Sequence, residues 1–212
     1  MKELLFLYHI GIEVISLKYL IIIVIAYALG NISNAYLIGK IFLNKDVRKY
    51  GSGNAGATNA IRAFGFKIGL LVFLGDLFKG VAAVLIGHYI EPVYGQYVAG
   101  IFLIIGHNWP AALKFKGGKG IASSIGVMLV INPILSLICF AVGITIAYLT
   151  KIVSIGSLIG VSIAPVIAII FFRPLEKGFF IFTLVLSIMA IFRHREYISR
   201  LLKGEEKKLK TK

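Results

Sequence analysis

Seven long apolar runs, separated by short polar stretches, constrain this chain more than any other feature. They cover residues 20–43, 68–89, 94–106, 121–131, 134–149, 155–172 and 175–192. A membrane-crossing helix needs about 20 apolar residues, and inside a bilayer a helix satisfies its own backbone polar groups where a lone strand cannot. The runs therefore predict an all-α integral membrane fold, a seven-helix transmembrane bundle. Its third and fourth spans are short and must tilt, borrow flanking residues or partly re-enter; on length alone a count of five or six spans stays open. Composition agrees: 58% of the 212 residues are hydrophobic and 15% charged, against about 25% charged in a soluble domain.

The first 18 residues contain Glu3, His9 and Glu13 and lack a small-residue cleavage site. They read as an N-terminal extension, an interfacial helix rather than a signal peptide. The membrane domain is expected over residues 19–202, and 203–212 form a charged tail. The 23 Lys and Arg against 9 Asp and Glu give a net charge of +14. These charges sit in short loops between apolar runs, which points to membrane lipid and anionic substrates as partners rather than nucleic acid. Lys45, Arg48, Lys49, Arg62 and Lys67 fall in the first long loop, three lysines fall in 107–119, and Lys151 and the tail follow on the same side. Positive residues mark the cytoplasmic side. The reading is thus a cytoplasmic C-terminus and polar face, with the N-terminus extracytoplasmic. Cys139 lies in an apolar run and reads as a packing residue.

Three polar constellations share that face. Gly51-Ser-Gly-Asn-Ala-Gly-Ala-Thr-Asn59 is followed by Arg62. Gly53 and Gly56 let the backbone bend so that N–H groups converge, and such a nest binds anions, above all where it enters a helix. Ser52, Asn54, Thr58 and Asn59 add short polar groups, and Arg62 adds a fork suited to phosphate. A capped, flexible connector is the plainer reading, but a connector does not need five such groups beside an arginine. The second is Gly106-His107-Asn-Trp-Pro110 with Gly117-Gly118-Lys119-Gly120. It is not a nucleotide P-loop, which would need Gly at 113 and Ser or Thr at 120. It leaves a glycine turn with a cation at a helix start, or a charged turn that only sets topology. The third is Arg193-His194-Arg195-Glu196-Tyr197, with Arg200. The arginines read as head-group anchors, and His194 is suited to moving a proton near neutral pH. Asp76 and Lys79, three apart within a span, read as a buried ion pair. Ser154 is either a helix cap or a hydroxyl for an anion.

Taken together, residues 51–62, Asp76-Leu-Phe-Lys-Gly80, Gly106-His107 with Pro110, Phe115-Lys-Gly-Gly-Lys-Gly120, Lys151-Ile-Val-Ser154 and Arg193-His-Arg-Glu196 resemble the bacterial glycerol-3-phosphate acyltransferases that use acyl-phosphate as donor. The resemblance spans about 20–202. It implies transfer of a fatty acyl group from acyl-phosphate to the 1-hydroxyl of sn-glycerol 3-phosphate, at the first step of phospholipid synthesis. It also implies a multi-pass protein of the cell (inner) membrane, without an acyl carrier protein or coenzyme A thioester as donor. Ser52, Arg62, Lys119 and His194 would hold glycerol 3-phosphate or orient its attack. Residues 53–59, Gly117, Gly118 and Lys119 would cradle the acyl-phosphate, with His107 and Ser154 as further substrate-binding candidates. The chain departs from the family pattern at Tyr197, where an Asn is usual. That predicts a replaceable contact, or an aromatic packed at the interface with a wet hydroxyl.

Acyl-phosphate is already activated, so the site needs no protein nucleophile and no cofactor. No cluster has metal-ligand spacing either. The non-enzymatic alternative is an anion or phosphate channel, which should carry polar groups through several spans and on both faces.

Overall fold

The computed structural model describes residues 2–172 and 174–203, with side chains for all of these except 2–13 and 15. Its described residues form α-helices joined by short turns, with no strand among them. The expected tail beyond residue 203 and the side chains of most of the N-terminal extension lie outside the described residues. The backbone of that extension continues unbroken into the first apolar run as α1, Lys2–Asn31.

The first run is not one helix. α1 stops at Asn31 and α2 (Asn34–Leu43) restarts from Ser33, whose Oγ accepts the Tyr36 N–H at 3.4 Å. Two polar helices' worth of loop then leads through α3 (Ala57–Phe64) to α4 (Phe66–Ile90). The helices α5 (Gly95–Asn108) and α6 (Ile121–Ile131) are the short pair that the sequence predicts. Proline sets both ends: Trp109 precedes Pro110 and Asn132 precedes Pro133, and a residue before proline is pushed out of helical geometry. Pro133 opens α7 (Pro133–Thr150) at its first position. The sixth run is also divided, into α8 (Val153–Ser162) and α9 (Ala164–Phe171), with Pro165 in the first turn of α9. α10 (Lys177–Arg193) bends by 57° into α11 (Arg195–Leu202) at His194.

By length and composition, Ser16–Leu43, α4, α7 and the α8–α9 pair are each long and apolar enough to cross a membrane, and the bent α10–α11 pair makes a fifth. Large apolar side chains such as Ile41, Phe78, Leu149 and Phe171 stand on the outside of the bundle, as lipid-facing groups do. Within lipid, helices gain nothing by hiding apolar surface from one another, so close packing must hold them. Here glycines face one another: Gly30 against Gly106 joins α1 to α5, Gly87 against Gly95 joins α4 to α5, and Gly143 against Gly156 joins α7 to α8. The buried core between them includes Ile22, Val84, Leu103, Val127, Leu135 and Phe182. This close packing brings the start of α3, α6 and α8 and the end of α10 to one end of the bundle, here called the loop end.

Candidate active site

A cavity of about 390 Å³ opens at the loop end and runs down between the helices. Its polar part is lined by Ser52, Asn54, Gly56, Thr58, Asn59 and Arg62 from the first glycine loop and α3. His107, Lys119, Ser154, His194 and Arg200 complete it. The rest is mainly apolar, with Leu70 and Phe73 from α4, Ile125 and Met128 from α6, and Phe140 and Ile144 from α7.

The first loop is organised by Asn59. Its buried amide donates to the carbonyls of Val47, Tyr50 and Asn54 at 3.1, 3.0 and 2.9 Å, and its Oδ1 accepts the Ser52 N–H at 2.7 Å. Gly51 has φ of +60°, and any side chain there would strike Asn59. The Gly53 N–H bonds to the Tyr50 carbonyl. The Ser52 and Gly53 N–H groups are therefore spent on the loop itself; the start of α3 lies farther along, with Gly56 and Thr58 on the cavity.

The second loop is clamped from below and from the side. The Gly118 N–H bonds to the His107 carbonyl at 3.1 Å, and a side chain at 118 would run into His107 Nε2. Arg193 donates from Nε and Nη2 to the Gly118 carbonyl at 3.0 and 2.8 Å, and its guanidinium lies 5.3 Å from the Trp109 ring centroid. Arg48 ties the two loops together. It pairs with Asp46 at 2.8 Å, reaches the Leu113 carbonyl at 3.2 Å and lies over the Tyr36 ring. Its hydrogen bond to Asp46 holds that carboxyl below the usual carboxylate range.

Beneath both loops lies a buried polar spine. Lys79 donates to the Gly30 and Ile32 carbonyls at 3.2 and 2.7 Å, where α1 breaks, and stands 3.2 Å from Asp76. Asp76 Oδ1 accepts from Asn34 Nδ2 at 3.0 Å, at the start of α2. His107 Nδ1 lies 2.9 Å from Lys79 Nζ and 3.6 Å from Asp76 Oδ1, and its Nε2 faces Gly118. The expected ion pair is present, and it also joins the helix break to the second glycine loop.

His194 sits at the α10–α11 bend, 1% exposed, with Nδ1 2.7 Å from the Ala190 carbonyl. A carbonyl only accepts, so Nδ1 carries the proton and Nε2 of the neutral ring is an acceptor.

Among the helix N-termini at this cavity are those of α3, α6 and α8. α3 starts at Gly56, α6 at Gly120 and α8 at Ile152, each without a side-chain cap and without an acidic residue in its first turn. Gly56, Thr58, Gly120, Ile121, Val153 and Ser154 line the cavity. At the opposite end the helix starts are capped. Glu91 accepts the N–H groups of Tyr94 and Gly95, Asn132 that of Leu135, and Glu176 those of Gly178 and Phe179. Uncapped helix starts present backbone donors and a positive dipole end, and Arg62, Lys119 and Arg200 line the same cavity, an arrangement suited to an anion.

A family model described as glycerol-3-phosphate acyltransferase matches residues 20–204. The chain belongs to the glycerol-3-phosphate acyltransferase family. It is an integral membrane acyltransferase. The glycerol-3-phosphate acyltransferase of Thermoanaerobacter sp. (strain X514) is 50% identical over 189 residues, covering 89% of this chain and 94% of that one. That of Clostridioides difficile (strain 630) is 44% identical over 201 residues, covering 92% and 97%. The crystal structure of PlsY (YgiH), an integral membrane glycerol 3-phosphate acyltransferase in its glycerol 3-phosphate form, superposes with a TM-score of 0.84 at 34% identity. That match covers 91% of this chain and 96% of the other. The lysophosphatidic acid form of the same enzyme gives a TM-score of 0.81.

Within this acyltransferase the structure sorts the sequence candidates. Ser52, Asn54, Gly56, Thr58, Asn59, Arg62, His107, Lys119, Ser154 and His194 converge on one cavity. Gly53 does not; it opens on a separate cleft with Tyr36, Arg48 and Lys114. Gly117 and Gly118 are buried and support the turn from behind. Of the three arginines read as head-group anchors, Arg193 clamps the second loop and Arg200 lines the cavity, while Arg195 is exposed over the Phe192 ring. Tyr197 is neither wet nor interfacial; it is 1% exposed, packed behind His194 and Lys119. In sequence Arg193 stood out as part of the family motif and Tyr197 as a departure from it, and neither signal showed which way the side chain faces. Among the described residues no group of three or more His, Cys, Asp or Glu is placed to hold a metal ion.

Replacing Lys79 by Met strands a buried carboxylate and two buried carbonyls, and losing one partner of a buried pair costs about 3–5 kcal/mol. The Lys79→Met protein should therefore unfold at a clearly lower temperature in detergent and lose activity with it. A wild-type melting temperature would show that the spine does not support the loops.

Proposed function

We propose that this chain transfers a fatty acyl group from acyl-phosphate to the 1-hydroxyl of sn-glycerol 3-phosphate, releasing 1-acyl-sn-glycerol 3-phosphate and phosphate. The observation that carries this reading is the meeting of three uncapped helix N-termini with Arg62, Lys119 and Arg200 at the polar end of a largely apolar cavity. Both substrates bring a phosphate, and one brings a long chain. The fold-related PlsY structures, described by their glycerol 3-phosphate and lysophosphatidic acid forms, support the same acceptor and product.

In this reading the start of α3, with Asn54 and Thr58, takes the acyl-phosphate head, and the acyl chain lies along α4, α6 and α7. Arg62, Lys119 and Ser52 hold glycerol 3-phosphate. His194 Nε2 accepts a hydrogen bond from the 1-hydroxyl and aims its oxygen at the acyl carbonyl carbon. The new C–O bond forms, the bond from the acyl carbon to the phosphate oxygen breaks with its electrons on phosphate, and the hydroxyl proton ends on the released phosphate. Cations and helix N–H groups stabilise that leaving charge. Holding the two anions together lowers the barrier by several kcal/mol, up to about 7–11 in the best cases. No step requires a metal, cofactor, acyl carrier protein or coenzyme A.

The channel reading fits less well. Below the polar end the cavity's Ser136 and Thr183 spend their hydroxyls on the helix carbonyls of Ile125 and Phe180, and apart from Ser124 and Ser157 the lining there is apolar.

The loop-charge asymmetry and the seven apolar helical segments (α1–α2, α4, α5, α6, α7, α8–α9, α10) support seven spans in the cell membrane, with the loop end cytoplasmic and the N-terminus outside. Cysteines at Ser52 and Val93 in a Cys139-free background should label from opposite sides, Ser52 from the cytoplasm. Labelling from the same side contradicts this arrangement. Purified protein should release phosphate from palmitoyl-phosphate only when glycerol 3-phosphate is present, and should not use palmitoyl-coenzyme A. Arg62→Ala and Lys119→Ala should each lower the rate on the order of 10²-fold, and Arg62→Lys should recover little of it. Turnover with the thioester alone would overturn the donor assignment.

A further inference from the structure

Tyr197 is buried at the start of α11, where the 57° bend after α10 turns it back toward the second glycine loop. The Lys119 ammonium stands over its ring, 5.1 Å from the centroid. The His194 imidazole meets it edge to face, with centroids 6.1 Å apart and planes at 86°. Lys119 and His194 both line the cavity, whereas Tyr197 lies behind them and does not.

We propose that Tyr197 is a positioning residue whose aromatic ring holds Lys119 by a cation–π contact and fixes His194 by an edge contact, so that the two reach the substrates in a set relation. This rests on the reading that Lys119 binds a substrate phosphate. The ring suits the task for an electrostatic reason. The negative face of an aromatic ring attracts an ammonium, yet carries no net charge. A carboxylate at the same place would compete with the substrate phosphate for Lys119; a ring orients the cation without adding a negative charge. Such a ring differs from the asparagine usual in the family. A carboxamide offers hydrogen bonds, while the work assigned to Tyr197 lies in its π face and shape.

The edge-to-face contact fixes the second group. His194 is already held at Nδ1 by the Ala190 carbonyl, which leaves rotation of the ring plane to be set by its neighbours. An aromatic wall at right angles restricts that rotation. The bend between α10 and α11, the ring and the second glycine loop then form one unit behind the cavity.

The test uses the full-length protein in detergent with Tyr197 replaced by Phe, by Leu, and by phenylalanines bearing one to five ring fluorines. Fluorination drains the π face of negative charge with little change in size. Tyr197→Phe should stay within about threefold of wild type, and Tyr197→Leu should lose about tenfold or more in kcat/KM for glycerol 3-phosphate. Across the fluorinated series kcat/KM should fall stepwise while the melting temperature stays level, and the trend should vanish in a Lys119→Ala background. A flat series beside an inactive Lys119→Ala overturns this inference alone. A Lys119→Ala protein with wild-type rate overturns the phosphate reading and this inference with it. A trend matched by falling melting temperature overturns the positioning role in favour of simple packing.

Discussion

The first N–H groups of a helix have no partner within that helix, and a membrane protein has little water to lend them. At one end of this bundle the chain satisfies them with its own side chains, Glu91, Asn132 and Glu176. At the other end, α3, α6 and α8 begin at Gly56, Gly120 and Ile152 with none. That asymmetry governs the rest of the site. Three positive dipole ends and several cations brought together would repel one another, and anionic ligands relieve the repulsion. In the proposed reaction a pair of phosphate-bearing substrates would do so twice, their mutual repulsion lowered by the same charges.

Such a receptor works only if it is held open, because loops rich in glycine collapse easily when left unsupported. Support comes from side chains that bond to the loops themselves. Asn59 spends its amide on three carbonyls of the first loop; Arg193 and His107 hold the second; Arg48 bridges them. The Lys79–Asp76–His107 spine anchors this assembly to the break between α1 and α2. Preorganised donors cost no rearrangement at the moment of reaction, and that is the condition under which electrostatic stabilisation is largest.

Much of this was legible in the sequence, because lipid leaves few alternatives for long apolar runs and because phosphate chemistry demands glycine, arginine and lysine together. The short α5 and α6 could be read from residue counts alone. The divisions of the first and sixth runs could not, although Asn31, Ser33, Asn34 and Pro165 stood in view: averaging hydrophobicity over a window hides a break that costs only one or two backbone bonds. In the site, residue types brought forward Arg62, Lys119 and His194, all of which line the cavity. They did not show that Asn59, which also lines it, spends its amide on three carbonyls of its own loop, or that Arg193, read as a lipid anchor, clamps the second loop. Tyr197 was misread for a related reason. Near a membrane boundary aromatic residues often sit at the interface, and only the bend at His194 turns this one inward.

The central claim is that uncapped helix starts bind substrate phosphate, and α3 offers the most direct test. Gly56 has φ of −144° and ψ of 169°, a conformation open to any residue, so Gly56→Asp can place a carboxylate cap on α3 without straining the backbone. The measurement is calorimetric titration of wild-type and Gly56→Asp protein with a non-hydrolysable acyl-phosphonate. The account predicts a capped protein that folds at least as stably and binds the donor analogue about tenfold more weakly or worse. Unchanged affinity in a folded Gly56→Asp protein would contradict it.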